Sequence, residues 1–180
     1  MNYKNQLLNL SSQRLNFRKL TSKDVSEWME FFGSDKALEF LPFEKNNKDQ
    51  CADWINRQIF VRYPLDDLGL YAVIEIESGK LIGQCGLLRQ EVDGKEELEI
   101  GYHLIPRFWK KGYATEAAVA FKNFAFQNNL AESLISIIHI DNINSQKVAE
   151  RNGMKQEKQT VFREMPIYIY RILKTEWRTN

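Results

Sequence analysis

Three strand-like apolar runs, residues 70–76, 81–90 and 96–105, are separated by two strong hairpin dipeptides, Ser78-Gly79 and Asp93-Gly94. Such two-residue turns reverse the chain with the twist that paired strands need, so the segment reads as an antiparallel meander around which everything else must pack. Upstream, residues 15–20 (LNFRKL) alternate apolar and polar, the period of a half-buried strand, and Thr21 offers a hydroxyl cap to a helix. That helix carries Val25, Trp28, Met29 and Phe32 on one stripe and is stopped by Gly33. After the extended connector Leu41-Pro42-Phe43, a second helix is expected from Lys48 to about Tyr63. It should turn Cys51, Ile55, Ile59 and Phe60 inward before Pro64 and Asp66-Asp67 end it.

Downstream of the meander, Ala114, Ala117, Ala118, Phe121, Phe124 and Ala125 form the apolar face of a helix reaching about Asn128, and residues 134–140 are a short buried strand. A strand, a helix and a strand in that order make a local parallel pairing. A helix over residues 145–152, closed by Gly153, leads to two last strands at 155–162 and 166–174. With no repeat, linker or low-complexity stretch, the 180 residues read as one α/β domain, residues 1–14 being an N-terminal extension.

Lys and Arg number 25 against 24 Asp and Glu, so no global field draws the chain to nucleic acid or an anionic membrane, and an anionic ligand must be held locally. Cys51 and Cys85 stand far apart without metal-ligand spacing, which argues against a bound metal. The first ten residues lack a basic start followed by an apolar run, and no segment approaches the length of a membrane span. A cytoplasmic protein with reduced thiols is the expectation.

The local holding point is residues 104–116, LIPRFWKKGYATE, between a strand and a helix start. A helix N-terminus leaves about four amide N–H groups unpaired and carries roughly half a positive charge, so it accepts a phosphate where small side chains let one approach. Gly112 and Ala114 give that access, and Arg107, Lys110 and Lys111 add positive charge. A bare chain turn with solvated lysines would also account for Gly112. Neither GxxxxGK[ST] nor GxGxxG is present, which disfavours ATP and NAD.

Leu104, Trp109, Gly112 and Ala114 fall where the GNAT superfamily of N-acetyltransferases has its pyrophosphate pattern, with Trp109 in place of the usual Gln or Arg. Tryptophan followed by Lys-Gly-Tyr-Ala-Thr-Glu resembles the branch that includes the ribosomal-protein N-terminal acetyltransferases. Residues 142–154, NINSQKVAERNGM, are similar to a second family segment, and the likeness covers roughly residues 15–174. The resemblance implies a mixed, mostly antiparallel central sheet of six to seven strands, with a splayed parallel pair and helices on both faces. It also implies transfer of an acetyl group from acetyl-coenzyme A to a primary amine, either a protein N-terminus or a small molecule. A silent coenzyme-binding module with the same fold stays open as the alternative, and so does a homodimer.

Residue by residue, the resemblance places the coenzyme against Leu104, Ile105, Trp109, Lys110, Lys111, Gly112, Tyr113, Ala114, Thr115 and Asn142. Backbone groups near Leu104 and Ile105 would bind its pantetheine arm. Strand alternation puts Glu99, Gly101 and His103 on one face, and Glu99 is the candidate base, since a partly buried carboxylate gains proton affinity. A surface carboxylate among Glu96, Glu97 and Glu99 remains the plain alternative, and His103 ranks second as base. Many relatives place a tyrosine acid where this chain has Ala149. Ser145 is the substitute donor that the branch suggests, although a serine there also suits a helix cap.

Overall fold

The computed structural model describes residues 7–178. Among them, seven strands form one sheet: β1 (Leu15–Lys19), β2 (Gly69–Glu75), β3 (Leu81–Val92), β4 (Lys95–Leu104), β5 (Ser133–His139), β6 (Lys155–Phe162) and β7 (Met165–Leu173). The spatial order is β1-β2-β3-β4-β5-β7-β6, and every pairing is antiparallel except β4 with β5. Both dipeptides mark reversals, but only Asp93-Gly94 is a two-residue turn; Ser78-Gly79 belongs to a four-residue loop closed by the Glu75 N–H on the Lys80 carbonyl. Asp93 and Gly94 take φ of 51° and 73°, the double left-handed turn that joins Val92 to Lys95, and Gly79 sits at φ 67°.

Helices cover both faces. On one, α5 (Tyr113–Gln127) sets Phe121 edge-on against Phe17 of β1 at 5.0 Å and near Tyr71 of β2, and α6 (Ile143–Arg151) follows β5. On the other lie α1 (Val25–Phe32), the short α2 (Asp35–Leu38) and α3 (Lys48–Arg57). Trp28 and Phe31 of α1 stack at 4.4 Å, and Trp54 of α3 packs beside them. The two apolar faces bury about as the periodicity predicts, and Gly33 does close α1. No helix among the described residues is long and apolar enough to cross a membrane.

The second predicted helix is not continuous α-helix. After Arg57 it widens into a π turn, Gln58–Arg62, closed by the Tyr63 N–H on the Gln58 carbonyl, then tightens again as α4 (Tyr63–Asp66). The widened turn sends Gln58 inward, where its Oε1 accepts from the Leu70 amide at 2.9 Å, and sends Phe60 out to 72% exposure. Phe60 is therefore not a core residue, contrary to the periodic reading. The last strands are joined by Arg163-Glu164, both at positive φ (50° and 67°), a two-residue turn made by residues that do not advertise it.

Close strand approach depends on bare backbone at Gly86, where an added Cβ would stand 1.8 Å from the Gly69 carbonyl oxygen. Gly86→Ala should lower the free energy of unfolding by about 2 kcal/mol or more, because rigid backbone rather than a movable side chain must yield. Urea denaturation measures this, and an unchanged midpoint and slope would contradict it.

Candidate active site

The parallel pair β4–β5 touches in register only at Glu99 and Ile135. One step on, the Ser136 hydroxyl donates to the Ile100 carbonyl at 2.9 Å, and beyond that the strands part. The Ile105 amide donates to Ile82 on β3 at 3.0 Å, which makes Gly83 and Leu104 a non-hydrogen-bonded pair and turns the amide and carbonyl of Leu104 toward β5. In the gap, the Trp109 indole N–H caps the Leu104 carbonyl at 2.6 Å, and the Tyr102 hydroxyl donates to the Ser145 carbonyl at 2.9 Å. Side chains thus occupy carbonyls that neighbouring elements would otherwise have to satisfy, and the parting encloses a cavity of about 460 Å³.

One end of the cavity is the turn before α5. Lys110 (φ 62°) and Gly112 (φ 85°) are left-handed, and the first helical bond runs from Glu116 N–H to the Gly112 carbonyl at 3.0 Å. The amides of Tyr113, Ala114 and Thr115 therefore have no intrahelical acceptor, and no side chain caps the helix. A Cβ built on Gly112 would meet only Arg14 Nη2, at 3.4 Å, so the space before these amides is open. Lys147 and Arg151, one turn apart on α6, line the same cavity as Lys110. Open amides, a helix N-terminus and three cations fit a diphosphate.

Glu116 fixes this turn to the N-terminal strand. Its carboxylate accepts from Ser12 Oγ (2.7 Å), the Arg14 amide (2.8 Å) and Arg14 Nε (2.7 Å), while Arg14 Nη1 donates to the Lys111 carbonyl at 3.1 Å. The Arg14 guanidinium also lies 4.4 Å over the Tyr113 ring, whose hydroxyl donates to Glu75. Burial pushes the Glu116 carboxyl up, but the bonds from Ser12 and Arg14 outweigh it and hold the group below its ordinary value.

The opposite half holds Glu99 and His103, on one face of β4. Glu99 is 9% exposed and accepts from Gln90 Nε2 at 2.7 Å and from the Ile137 amide. Burial raises its pKa, and the pull of Gln90, Arg62, Arg163 and the Ile137 amide in the other direction does not cancel that rise. His103 is edge-on to Trp54 (4.9 Å) and Phe31 (5.9 Å), and burial pushes it down to about 4, so it is neutral at neutral pH. The plain alternative of a surface carboxylate at Glu99 is removed, whereas Glu96 is exposed and Glu97 pairs with Arg171.

Of the residues singled out from the sequence, Glu99, Leu104, Trp109, Lys110, Gly112, Tyr113, Ala114, Thr115, Asn142 and Ser145 all line the cavity. Ile105 and Lys111 do not. The Ile105 amide is spent on β3, and Lys111 lays its ammonium 5.3 Å from the Phe108 ring. Arg107 is also turned away, paired with Glu30 at 2.9 Å. Asn142 is the cap of α6, its Oδ1 accepting from the Ser145 amide at 3.1 Å, so the cap expected at Ser145 is one turn earlier. Ala149 is fully buried in the core. Sequence reading missed Tyr102 and Ser136, whose partners are remote in the chain, and Lys147 and Arg151, whose four-residue spacing was visible.

Residues 14–155 match the family described as acetyltransferase (GNAT) domain. The chain is 27% identical over 172 residues to the uncharacterized protein YkkB of Bacillus subtilis, covering 94% of this chain and 96% of that protein. Among solved structures, the GNAT-family acetyltransferase from Bacillus anthracis superposes with a TM-score of 0.78 at 23% identity, over 92% of this chain and 98% of that one. RimL, a ribosomal L7/L12 alpha-N-protein acetyltransferase in complex with coenzyme A, superposes with a TM-score of 0.73 at 15% identity, over 90% and 95% of the two chains.

Gly112→Val should weaken coenzyme A binding at least about tenfold, because a branched side chain fills the open space before the amides. Its left-handed φ should also cost about 1–2 kcal/mol of stability. Calorimetric titration and a urea melt read the two effects separately, and unchanged affinity would remove the turn as the anion site.

Proposed function

The chain belongs to the acetyltransferase (GNAT) domain family, and from that premise we propose how this cleft performs acetyl transfer from acetyl-coenzyme A to an amine. The coenzyme supplies a thioester, an acyl group on a tolerable leaving thiolate. Its diphosphate is assigned to the amides of Tyr113, Ala114 and Thr115, flanked by Lys110, Lys147 and Arg151. Its pantetheine arm is assigned to the gap between β4 and β5, where the Leu104 backbone and Asn142 present polar groups. With its carbonyl already bonded to Trp109, Leu104 offers its amide there.

Glu99 is assigned as the group that takes the proton from the attacking amine, directly or through water. The observation that carries this is its burial on the wall of the cleft, with a pKa raised by that burial, since a base works best when its pKa lies near the working pH. Neutral His103, farther along the same face of β4, adds no positive charge that would repel an ammonium. Ser145 is assigned as the donor toward the leaving sulfur, in the place that buried Ala149 cannot fill. The acceptor is a peptide N-terminus or a small amine. Ala149 also favours a second reading, a coenzyme-binding module without turnover, which binding without amine-dependent thiol release would support.

Glu99→Gln should lower kcat by about 100-fold or more while leaving coenzyme A affinity intact. Thiol release against a panel of amines, with calorimetric binding, checks both. Stability gives an independent sign. A carboxylate whose folded pKa lies above its unfolded value binds more protons when folded, so the native protein loses stability as pH rises from about 4.3 through the folded value. Glu99→Gln lacks that loss, and its stability relative to the native protein should rise between pH 4 and pH 7. A pH-independent difference would show that Glu99 is not held as described.

A further inference from the structure

The acceptor half of the cleft is an aromatic box containing one carboxylate. Phe31 from α1, with Phe40 and Leu41 from the loop after α2, stand opposite Ile137 and His139 of β5. The Phe40 and His139 rings stack at 4.9 Å and 26° across the opening, and Trp54 backs the His103 ring while its indole N–H donates to buried Gln84 at 2.8 Å. Among the described residues lining the cavity, Glu99 is the only carboxylate. Around it most of the charge is positive, the exception being the exposed Asp141, outside the lining, whose carboxylate is 3.8 Å from His139 Nδ1. Lys36 lines the α2 wall, and Arg62 and Arg163 lie close enough to act on the Glu99 carboxylate.

We propose that the acceptor is a monoamine carried on an aromatic or aliphatic body, and that the box excludes polyamines and other polycations. One buried carboxylate can receive one ammonium and take its proton. A second ammonium within the same box would lose its water and find aromatic rings and further cations where it needs a carboxylate, and an unpaired charge out of water is strongly disfavoured. Rings can offer a cation partial compensation, but Lys36 on the wall opposes a second positive charge there, and Arg62 and Arg163, outside the lining but near Glu99, add to that opposition. The aromatic walls reward an apolar body instead, by removing its surface from water. Discrimination of this kind comes from what the site refuses as much as from what it holds.

The inference rests on reading the cleft as the transfer site, so its test includes a measurement that does not require turnover. With the protein saturated with coenzyme A, tryptophan fluorescence, to which Trp54 behind the His103 ring contributes, is titrated with 2-phenylethylamine, the tripeptide Phe-Gly-Gly and spermidine. At least one of the two monoamines should bind about tenfold more tightly than spermidine or better. With acetyl-coenzyme A, thiol release should favour that monoamine by about 100-fold in kcat/KM. The better of the two identifies the source as a free amine or a peptide N-terminus, and either result supports the proposal.

Spermidine binding as tightly as both monoamines would overturn it. Selective monoamine binding without thiol release from any amine would instead overturn the transfer reading and leave the box selective. Lys36→Glu, at an exposed position that should fold normally, adds a carboxylate and removes a cation. It should narrow the binding ratio by about tenfold, and Phe40→Asp should narrow it further. A ratio unmoved in both variants would overturn charge as its cause.

Discussion

The structure depends on two neighbouring strands ceasing to be neighbours. A sheet that parts in its middle leaves backbone donors and acceptors facing a gap, and such groups are costly when buried without partners. Here the opening is held by side chains of the chain itself. Ser136 takes the Ile100 carbonyl at the fork, Trp109 takes that of Leu104 farther along, and the Tyr102 phenol reaches across to α6. All three contacts lie past the single register pair of Glu99 and Ile135. The tryptophan that departs from the family's pyrophosphate pattern therefore satisfies a carbonyl that faces the gap.

The two ends of the cleft obtain opposite electrostatics from local means, on a chain whose net charge is only +1. At the α5 end, a carboxylate in the helix's own first turn is neutralised by Arg14 and Ser12 from the segment around β1, so the turn is braced without its amides being used. At the other end, Glu99 is kept from water by Gln90 and the hairpin arm, and burial prevails over the nearby arginines. The open amides and the buried carboxylate are thereby kept in separate parts of one cavity.

Much of this was legible in the residues. Asp93-Gly94 and Ser78-Gly79 mark reversals because left-handed backbone has few comfortable occupants, and the apolar stripes of α1 and α5 follow from helical geometry. What escaped depends on contacts between distant segments. Arg163-Glu164 makes the same reversal as Asp93-Gly94 with unfavourable residues, because β6 and β7 are already aligned by the sheet. Arg107 and Lys111 were reasonable phosphate ligands by position, but Glu30 and Phe108 draw them away. Ile105 is adjacent to the backbone that faces the gap, yet strand alternation points its own amide at β3. The role of Tyr102 cannot be read from its neighbours at all, since its partner is 43 positions away.

The π turn at Gln58–Arg62 also serves as a phase correction. An α-helix advances about 100° per residue, so the direction of every side chain is tied to all those before it. Trp54 must face the sheet behind His103, where its indole N–H meets Gln84, and Tyr63 must face the start of β2, where its hydroxyl meets the Leu20 amide and the Leu70 carbonyl. A regular helix carrying one of them correctly would misdirect the other. The extra residue uncouples the two demands, which lets the wall of the cleft and the anchoring of the sheet be adjusted independently, with Phe60 left facing water as the visible remainder of that adjustment.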